Sequence, residues 1–109
     1  MVPSQMLKGV LEGCVLQVVS KNETYGYQIV QELREYGFTE IVEGTIYPLL
    51  LRLDNKGQIQ SRMVESDIGP KRKYYSITPL GTESLKEFEN NWNELEDIVN
   101  ALFNGGKEK

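Results

Sequence analysis

The order of apolar patterns along the chain predicts an α+β fold that is mostly helical. Three stretches before residue 57 repeat apolar residues at helical spacing, two alternating segments follow, and one long helical pattern closes the chain. With 109 residues, of which 39% are hydrophobic, the chain has the size and composition of one small folded unit.

The first two predicted helices are separated by a polar loop. Residues 5–20 carry apolar side chains at steps of one, three and four, which is the spacing of one helix face. We expect the hydroxyl of Thr24 to cap the second helix and Gly37 to end it. Gly26, near the start of that helix, is typical of close packing between helices.

The start of the third helix is predicted from Pro48. Because proline lacks an N–H, it is best tolerated in a first turn, so we expect this helix to begin near Gly44 or Thr45 and to end at Gly57. Four apolar residues at i, i+3, i+4 and i+7 form one stripe along it: Ile46, Leu49, Leu50 and Leu53.

Segments 58–65 and 71–77 alternate well enough to predict a β-hairpin with a charged turn. Thr78 followed by Pro79 is typical of a helix start, and the helix is expected to extend to about residue 103. Its apolar residues follow an a/d heptad pattern, and together we call them the seam: Leu85, Phe88, Trp92, Leu95, Val99 and Leu102.

Three helices followed by a two-stranded hairpin predict a winged helix-turn-helix. In that arrangement the third helix enters the major groove of DNA and the hairpin, or wing, lies against the backbone. We therefore assign residues 5–78 to a DNA-binding domain, 79–103 to a C-terminal dimerisation helix and 104–109 to a flexible tail.

Basic residues are concentrated in the middle of the chain, although the net charge is −4. Residues 44–78 hold six Lys or Arg against three Asp or Glu, while both flanks are acidic. A local basic surface matters more for DNA binding than the total charge. The cations of the third helix and of the wing turn are the candidates for DNA contact: Arg52, Lys56, Lys71, Arg72 and Lys73.

The residue types exclude several kinds of chemistry. The chain has no His and one Cys, so histidine triads, intrachain disulfides and thiolate metal clusters are excluded, and neither a metal nor a cofactor is expected. Cys14 lies in an apolar stretch and is expected to be a buried, inert thiol. Enzyme activity is not expected, because carboxylates such as Glu94 and Asp97 lie on the polar face of the last helix.

Neither a membrane span nor a signal peptide is expected from the sequence. No apolar run approaches the roughly 18 residues that a span needs, and the first residues lack a basic stretch followed by an apolar core. These two observations predict a cytoplasmic protein that does not bind a membrane.

Three stretches carry a specific combination of motifs. They are Y-G-Y-Q-I at 25–29, G-T-I-Y-P-L-L-L-R-L at 44–53 and G-P-K-R-K-Y-Y-S-I-T at 69–78. In this order they resemble the PadR-like transcriptional regulators, and the short chain is similar to the subfamily with one C-terminal helix, which includes multidrug-binding members. The resemblance implies a homodimeric repressor that binds a palindromic operator, often near its own gene.

The resemblance also implies roles for individual residues. Thr45 and Tyr47 would face DNA from the third helix, and the wing would add its three cations. Tyr25, Tyr27 and Gln28 would support or touch the phosphate backbone. For the two tyrosines, packing between helices two and three is an equally good interpretation.

The last helix requires a partner on physical grounds alone. A helix from 79 to 103 is roughly 37 Å long, whereas a compact domain of this size has a radius of gyration of about 13 Å. The seam would leave a large apolar patch exposed, and a symmetric dimer would cover it. Such a dimer also matches two operator half-sites roughly 34 Å apart.

Trp92, with Phe88 beside it in the seam, is the candidate for binding a small-molecule effector. The resemblance to the multidrug-binding members implies a tryptophan here that stacks on planar aromatic compounds at the dimer centre. The alternative is that Trp92 is a large packing residue of the seam. For the whole protein, the alternative to DNA binding is a winged-helix module that binds other proteins.

Overall fold

The computed structural model describes residues 2–105 and shows a mostly helical α+β fold with a small antiparallel sheet. The elements in this part of the chain are α1 (Ser4–Leu7), α2 (Leu11–Lys21), β1 (Thr24–Tyr25), α3 (Gly26–Tyr36), α4 (Glu43–Asn55), β2 (Ile59–Val64), β3 (Arg72–Ile77) and α5 (Pro79–Phe103). The predicted fold class is confirmed, as are the hairpin after the third predicted helix and the long last helix. Residues 106–109 of the predicted tail lie outside the described residues.

The core lies where α2, α3, α4 and the sheet meet. Ile46, Leu50 and Leu53 of the predicted stripe on α4 are fully buried, and Leu49 is half-buried beside them. They pack with apolar residues of α2, α3 and β2: Val15, Val19, Ile29 and Ile59. The apolar stripe therefore fixes which face of α4 remains free for function.

The prediction of one helix over residues 5–20 is wrong. The chain leaves the helical conformation at Lys8, whose ψ is 133°, and Gly9 takes a φ of +84° that interrupts helical hydrogen bonding. The helix restarts as α2 at Leu11. The apolar spacing continues across this break, which explains why the periodicity did not reveal it.

Thr24 does not cap α3, so that prediction is also wrong. It belongs to the two-residue strand β1, which pairs with β3 through Thr24 with Tyr75 and Tyr25 with Tyr74. The sheet therefore has three strands in the order β1-β3-β2, where the sequence predicted two. Thr24 is 6% exposed, and its hydroxyl has no hydrogen-bond partner among the described residues.

The predicted start of α4, near Gly44 or Thr45, is late by one or two residues, and Pro48 does not lie in the first turn. The helix begins at Glu43 after an extended Val42, so Pro48 is the sixth helical residue instead of a first-turn residue. Both Pro48 and Gly44 are exposed. The Gly44 carbonyl, which loses its helical partner at Pro48, can therefore be hydrated, and this reduces the penalty of an interior proline.

Thr78 joins α4, the wing and α5 at one point. Its hydroxyl donates to the Gly57 carbonyl at 2.6 Å and accepts from the Gly81 N–H at 3.0 Å, which is the predicted N-cap. Its own N–H donates to the Gln58 carbonyl at 3.2 Å. A Cβ at Gly81 would collide with that same Gln58 oxygen, so this close approach requires glycine.

The first part of α5 packs on its own chain and the rest projects beyond it. Leu85 packs against the core, and the ring of Phe88 lies so close to Gly13 of α2 that a Cβ there would overlap it. Beyond Phe88 every described residue of α5 is exposed. Because of this projection, the radius of gyration is 16.1 Å, above the value of about 13 Å for a compact domain of this size.

No helix within residues 2–105 is long and apolar enough to cross a membrane.

We predict that Gly81→Ala lowers the free energy of unfolding by about 2 kcal/mol or more, because the added methyl overlaps a backbone oxygen that cannot rotate away. Urea denaturation at fixed protein concentration measures the change. Gly44→Ala is the matched control: no atom lies within 4 Å of its added methyl, and we expect no loss, or a gain of about 0.5–1 kcal/mol. Equal losses in the two variants would contradict the prediction.

Candidate nucleic-acid interface

A cleft of about 480 Å³ separates the exposed side of α4 from the tip of the wing. Its walls come from the start of α3, the first turns of α4 and the residues that lead into β3. The lining consists of three tyrosines, three cations, one glycine and one carboxylate: Tyr25, Tyr27, Tyr47, Lys71, Arg72, Lys73, Gly26 and Glu43. The structure thus brings the wing cations and part of α4 to one surface.

Tyr47 is 48% exposed and makes two contacts within this cleft. A Cβ at Gly26 would lie 2.8 Å from a ring carbon of Tyr47, so the ring occupies space that only glycine leaves open. The Tyr47 hydroxyl donates to Oε2 of Glu43 at 3.0 Å, one turn earlier on α4. Burial, followed by this hydrogen bond, raises the pKa of Tyr47, so it stays a neutral phenol. The predicted close packing at Gly26 is confirmed.

The strand β1 places an aromatic cluster beside the wing. The ring of Tyr25 lies 5.1 Å from that of Tyr74 on β3 and is stacked on Tyr27 at 6.5 Å. The guanidinium of Arg72 lies 4.7 Å from the centre of the Tyr25 ring, which is a cation–π distance. Tyr25 therefore packs and orients Arg72, while Tyr27 is 53% exposed.

The two wing lysines remain exposed. Lys71 lies 3.7 Å from Glu65 across the turn, and Lys73 lies 5.9 Å from the ring centre of Tyr75. Exposed ion pairs at such distances contribute little. Both ammonium groups are therefore free to approach an anionic partner.

The cations of α4 have a different environment. Arg52 donates to Glu12 of α2 at 2.6 Å, and Lys56 lies 3.5 Å from the other oxygen of that carboxylate. Arg52 and Thr45 line a groove on the side of α4 away from the cleft. Gln28 is exposed on α3 and does not line the cleft. For Thr45, Arg52, Lys56 and Gln28, contact with DNA stays a prediction.

Arg62 of the wing is also paired. It donates to both oxygens of Glu23, at 2.6 and 2.8 Å. This hydrogen bond lowers the pKa of Glu23 and raises the pKa of Arg62. The pair ties β2 to the loop before β1, and it reduces the positive charge of the wing outside the cleft.

Some residues of this surface were missed in the sequence. The Tyr74 ring packs at a tilt against Tyr25 because the two residues pair across strands that are far apart in sequence. Glu12 and Glu23 neutralise cations 40 and 39 residues away, and no local pattern reports such pairs. Glu43 could have been found from its place directly before the G-T-x-Y-P motif.

A second exposed surface lies on the projecting half of α5. Trp92 is 40%, Leu95 51%, Val99 38% and Leu102 75% exposed, so most of the predicted seam has no cover within the described chain. Two further apolar residues that the heptad pattern did not include, Ile98 and Phe103, extend this surface.

The described residues contain no cluster of metal ligands, and their one cysteine is half-buried. Between residues 2 and 105, no group of three His, Cys, Asp or Glu is close enough to hold a metal ion. Cys14 is half-buried against the core, and burial raises the pKa of its thiol.

Comparisons with known proteins agree on one family. The chain matches the model of the transcriptional regulator PadR-like family over residues 15–87. A transcriptional regulator from Mycobacterium tuberculosis is 35% identical over 91 residues, covering 84% of this chain and 80% of the relative. A PadR-like transcriptional regulator from Bacillus cereus has 49% identity and a TM-score of 0.81, covering 91% of this chain and 96% of the other.

One solved relative includes nucleic acid. The structure of Bacillus subtilis PadR in complex with operator DNA is 28% identical, with a TM-score of 0.68. The match covers 73% of this chain and 46% of that one.

Proposed function

This chain belongs to the PadR-like family of transcriptional regulators, and on that premise we propose that it is a homodimeric repressor that binds a palindromic operator. The observation that carries the proposal is the cleft, where the exposed side of α4 and three wing cations face the same space. In a winged helix-turn-helix, the helix in the position of α4 enters the major groove and the wing contacts the backbone.

The two sides of the cleft suit different parts of DNA. Lys71 and Lys73 are exposed point charges, and Arg72 is held over Tyr25, so this side is suited to phosphates. Tyr47 presents a neutral hydroxyl at a fixed place on α4 and is suited to a base edge. Phosphate contacts would supply affinity and orientation, and α4 would supply sequence preference.

The dimer follows from the exposed half of α5. A row of exposed apolar side chains over about the last three turns of a helix is unfavourable in water, and a second copy would cover it. A two-fold axis along this surface would present two clefts to two half-sites, which requires a palindromic operator.

Trp92 has two candidate roles at such a dimer centre. It is a packing residue of the seam, or it is a stacking surface for a planar aromatic effector that releases the repressor from DNA. Its exposed fraction of 40% is compatible with both. Since Trp92 is the one tryptophan of the chain, quenching of its fluorescence by planar aromatic compounds distinguishes them.

We predict that Lys71→Ala/Lys73→Ala weakens binding to operator DNA and makes it less dependent on salt. Each lost phosphate contact reduces the slope of log affinity against log salt by about 0.9. The proposed dimer loses two lysines from each protomer, so its slope should fall by roughly 3.6. Fluorescence anisotropy measures this with labelled DNA from upstream of the protein's own gene and with scrambled DNA of equal length.

The matched control for charge is Lys8→Ala/Lys86→Ala, which removes two exposed lysines that do not line the cleft. We expect it to leave the slope nearly unchanged. Equal affinity and equal slope for the wild type and the wing variant would contradict this role of the wing. Failure of the wild type to bind any DNA would favour the alternative of a protein-binding module.

We predict that Leu95→Glu shifts the dimer toward monomer. Each dimer would bury two carboxylates without partners, so its dissociation constant should rise roughly 100-fold or more. Sedimentation equilibrium measures this constant. The control is Asn90→Glu, an exposed position that lies outside the seam, and it should dimerise as the wild type does. A wild-type protein that sediments as a monomer would refute the dimer.

A further inference from the structure

One carboxylate faces the cationic cleft. Glu43 is the first residue of α4 and lines the cleft together with Lys71, Arg72 and Lys73. Within the described part of the chain, it is the one acidic side chain in that lining. Duplex DNA carries a phosphate charge about every 1.7 Å, so a carboxylate that faces DNA is repelled unless it accepts a hydrogen bond from a base.

The neighbouring cations have other contacts. Lys71 lies 3.7 Å from Glu65, and the guanidinium of Arg72 lies over the ring of Tyr25. Glu43 instead accepts a hydrogen bond from the Tyr47 hydroxyl at 3.0 Å. The Tyr47 ring packs over Gly26, so this bond orients the carboxylate toward the cleft, and a carboxylate has further lone pairs for a second donor.

We infer that Glu43 is a specificity-determining residue whose carboxylate accepts a hydrogen bond from the N4 amino group of a cytosine. This inference rests on the proposed function. The first residues of a recognition helix are those that contact base edges. In the major groove, guanine and thymine present acceptors that repel a carboxylate, and adenine presents an acceptor beside its amino group. Cytosine presents the amino donor alone.

The experiment compares the base preference of the wild type and of Glu43→Gln. Both full-length proteins select duplexes from a random DNA library, and dissociation constants are then measured on the wild-type consensus and on every single base-pair change in one half-site. We expect the wild type to require one C·G pair. In Glu43→Gln, discrimination at that pair should fall about tenfold, with the other positions unchanged.

Glu40→Gln is the matched control. It removes one negative charge three residues earlier, from an exposed side chain that lines the groove on the other side of α4. It should change affinity for all duplexes by the same factor and leave base preference intact. Tyr47→Phe keeps the ring and removes the hydroxyl that orients Glu43, so it should reduce discrimination at the same base pair. A loss at a second base pair in this variant would report the contact of the hydroxyl itself. Thermal unfolding of each variant establishes that the fold is kept.

The outcomes separate this inference from the proposed function. Identical base preferences for the wild type and Glu43→Gln would overturn the role of Glu43 while leaving the repressor in place. Loss of preference at every position in Glu43→Gln would also overturn it, because a general effect is not recognition of one base. A wild type that enriches no sequence would overturn the proposed function and this inference together.

Discussion

The arrangement of this molecule depends on the junction at Thr78. One side chain caps α5 and binds the carbonyl that follows α4, while the backbone of the same residue binds Gln58 at the start of the wing. Gly81 allows α5 to approach the Gln58 oxygen directly. These contacts join the end of α4, the start of β2 and the start of α5 at one point. They therefore fix the relative positions of α4, the wing and α5.

Ion pairs in the folded chain leave the exposed positive charge concentrated at the tip of the wing. Glu12 and Glu23, from α2 and the loop after it, neutralise arginines that lie outside the cleft. The wing tip keeps its cations exposed, and the overall charge stays at −4. On the proposed function, this pattern gives weak attraction to DNA in general and a local attraction where the cleft meets the backbone.

The parts of the fold with repeated local patterns could be predicted from the sequence. The stripe on α4, the hairpin and the start and end of α5 were correct because each depends on residues close in sequence. The break at Gly9 was missed because apolar spacing continues through it, and β1 was missed because two residues form no alternation. Within the cleft, the wing cations and Tyr47 were predicted, whereas the ion pairs of Arg52 and Arg62 join residues that only the folded chain brings together.

The contact between Gly26 and Tyr47 makes two distant positions interdependent under mutation. Any side chain at position 26 would displace the ring at 47, and a smaller residue at 47 would leave a gap above position 26. Since Tyr47 is 48% exposed, its ring can move aside, but it then loses this packing and the hydrogen bond to Glu43. Thr45, Pro48 and Leu51 are exposed on α4 and carry no such constraint. On the proposed function, a residue outside α4 therefore helps to set the surface that α4 presents to DNA.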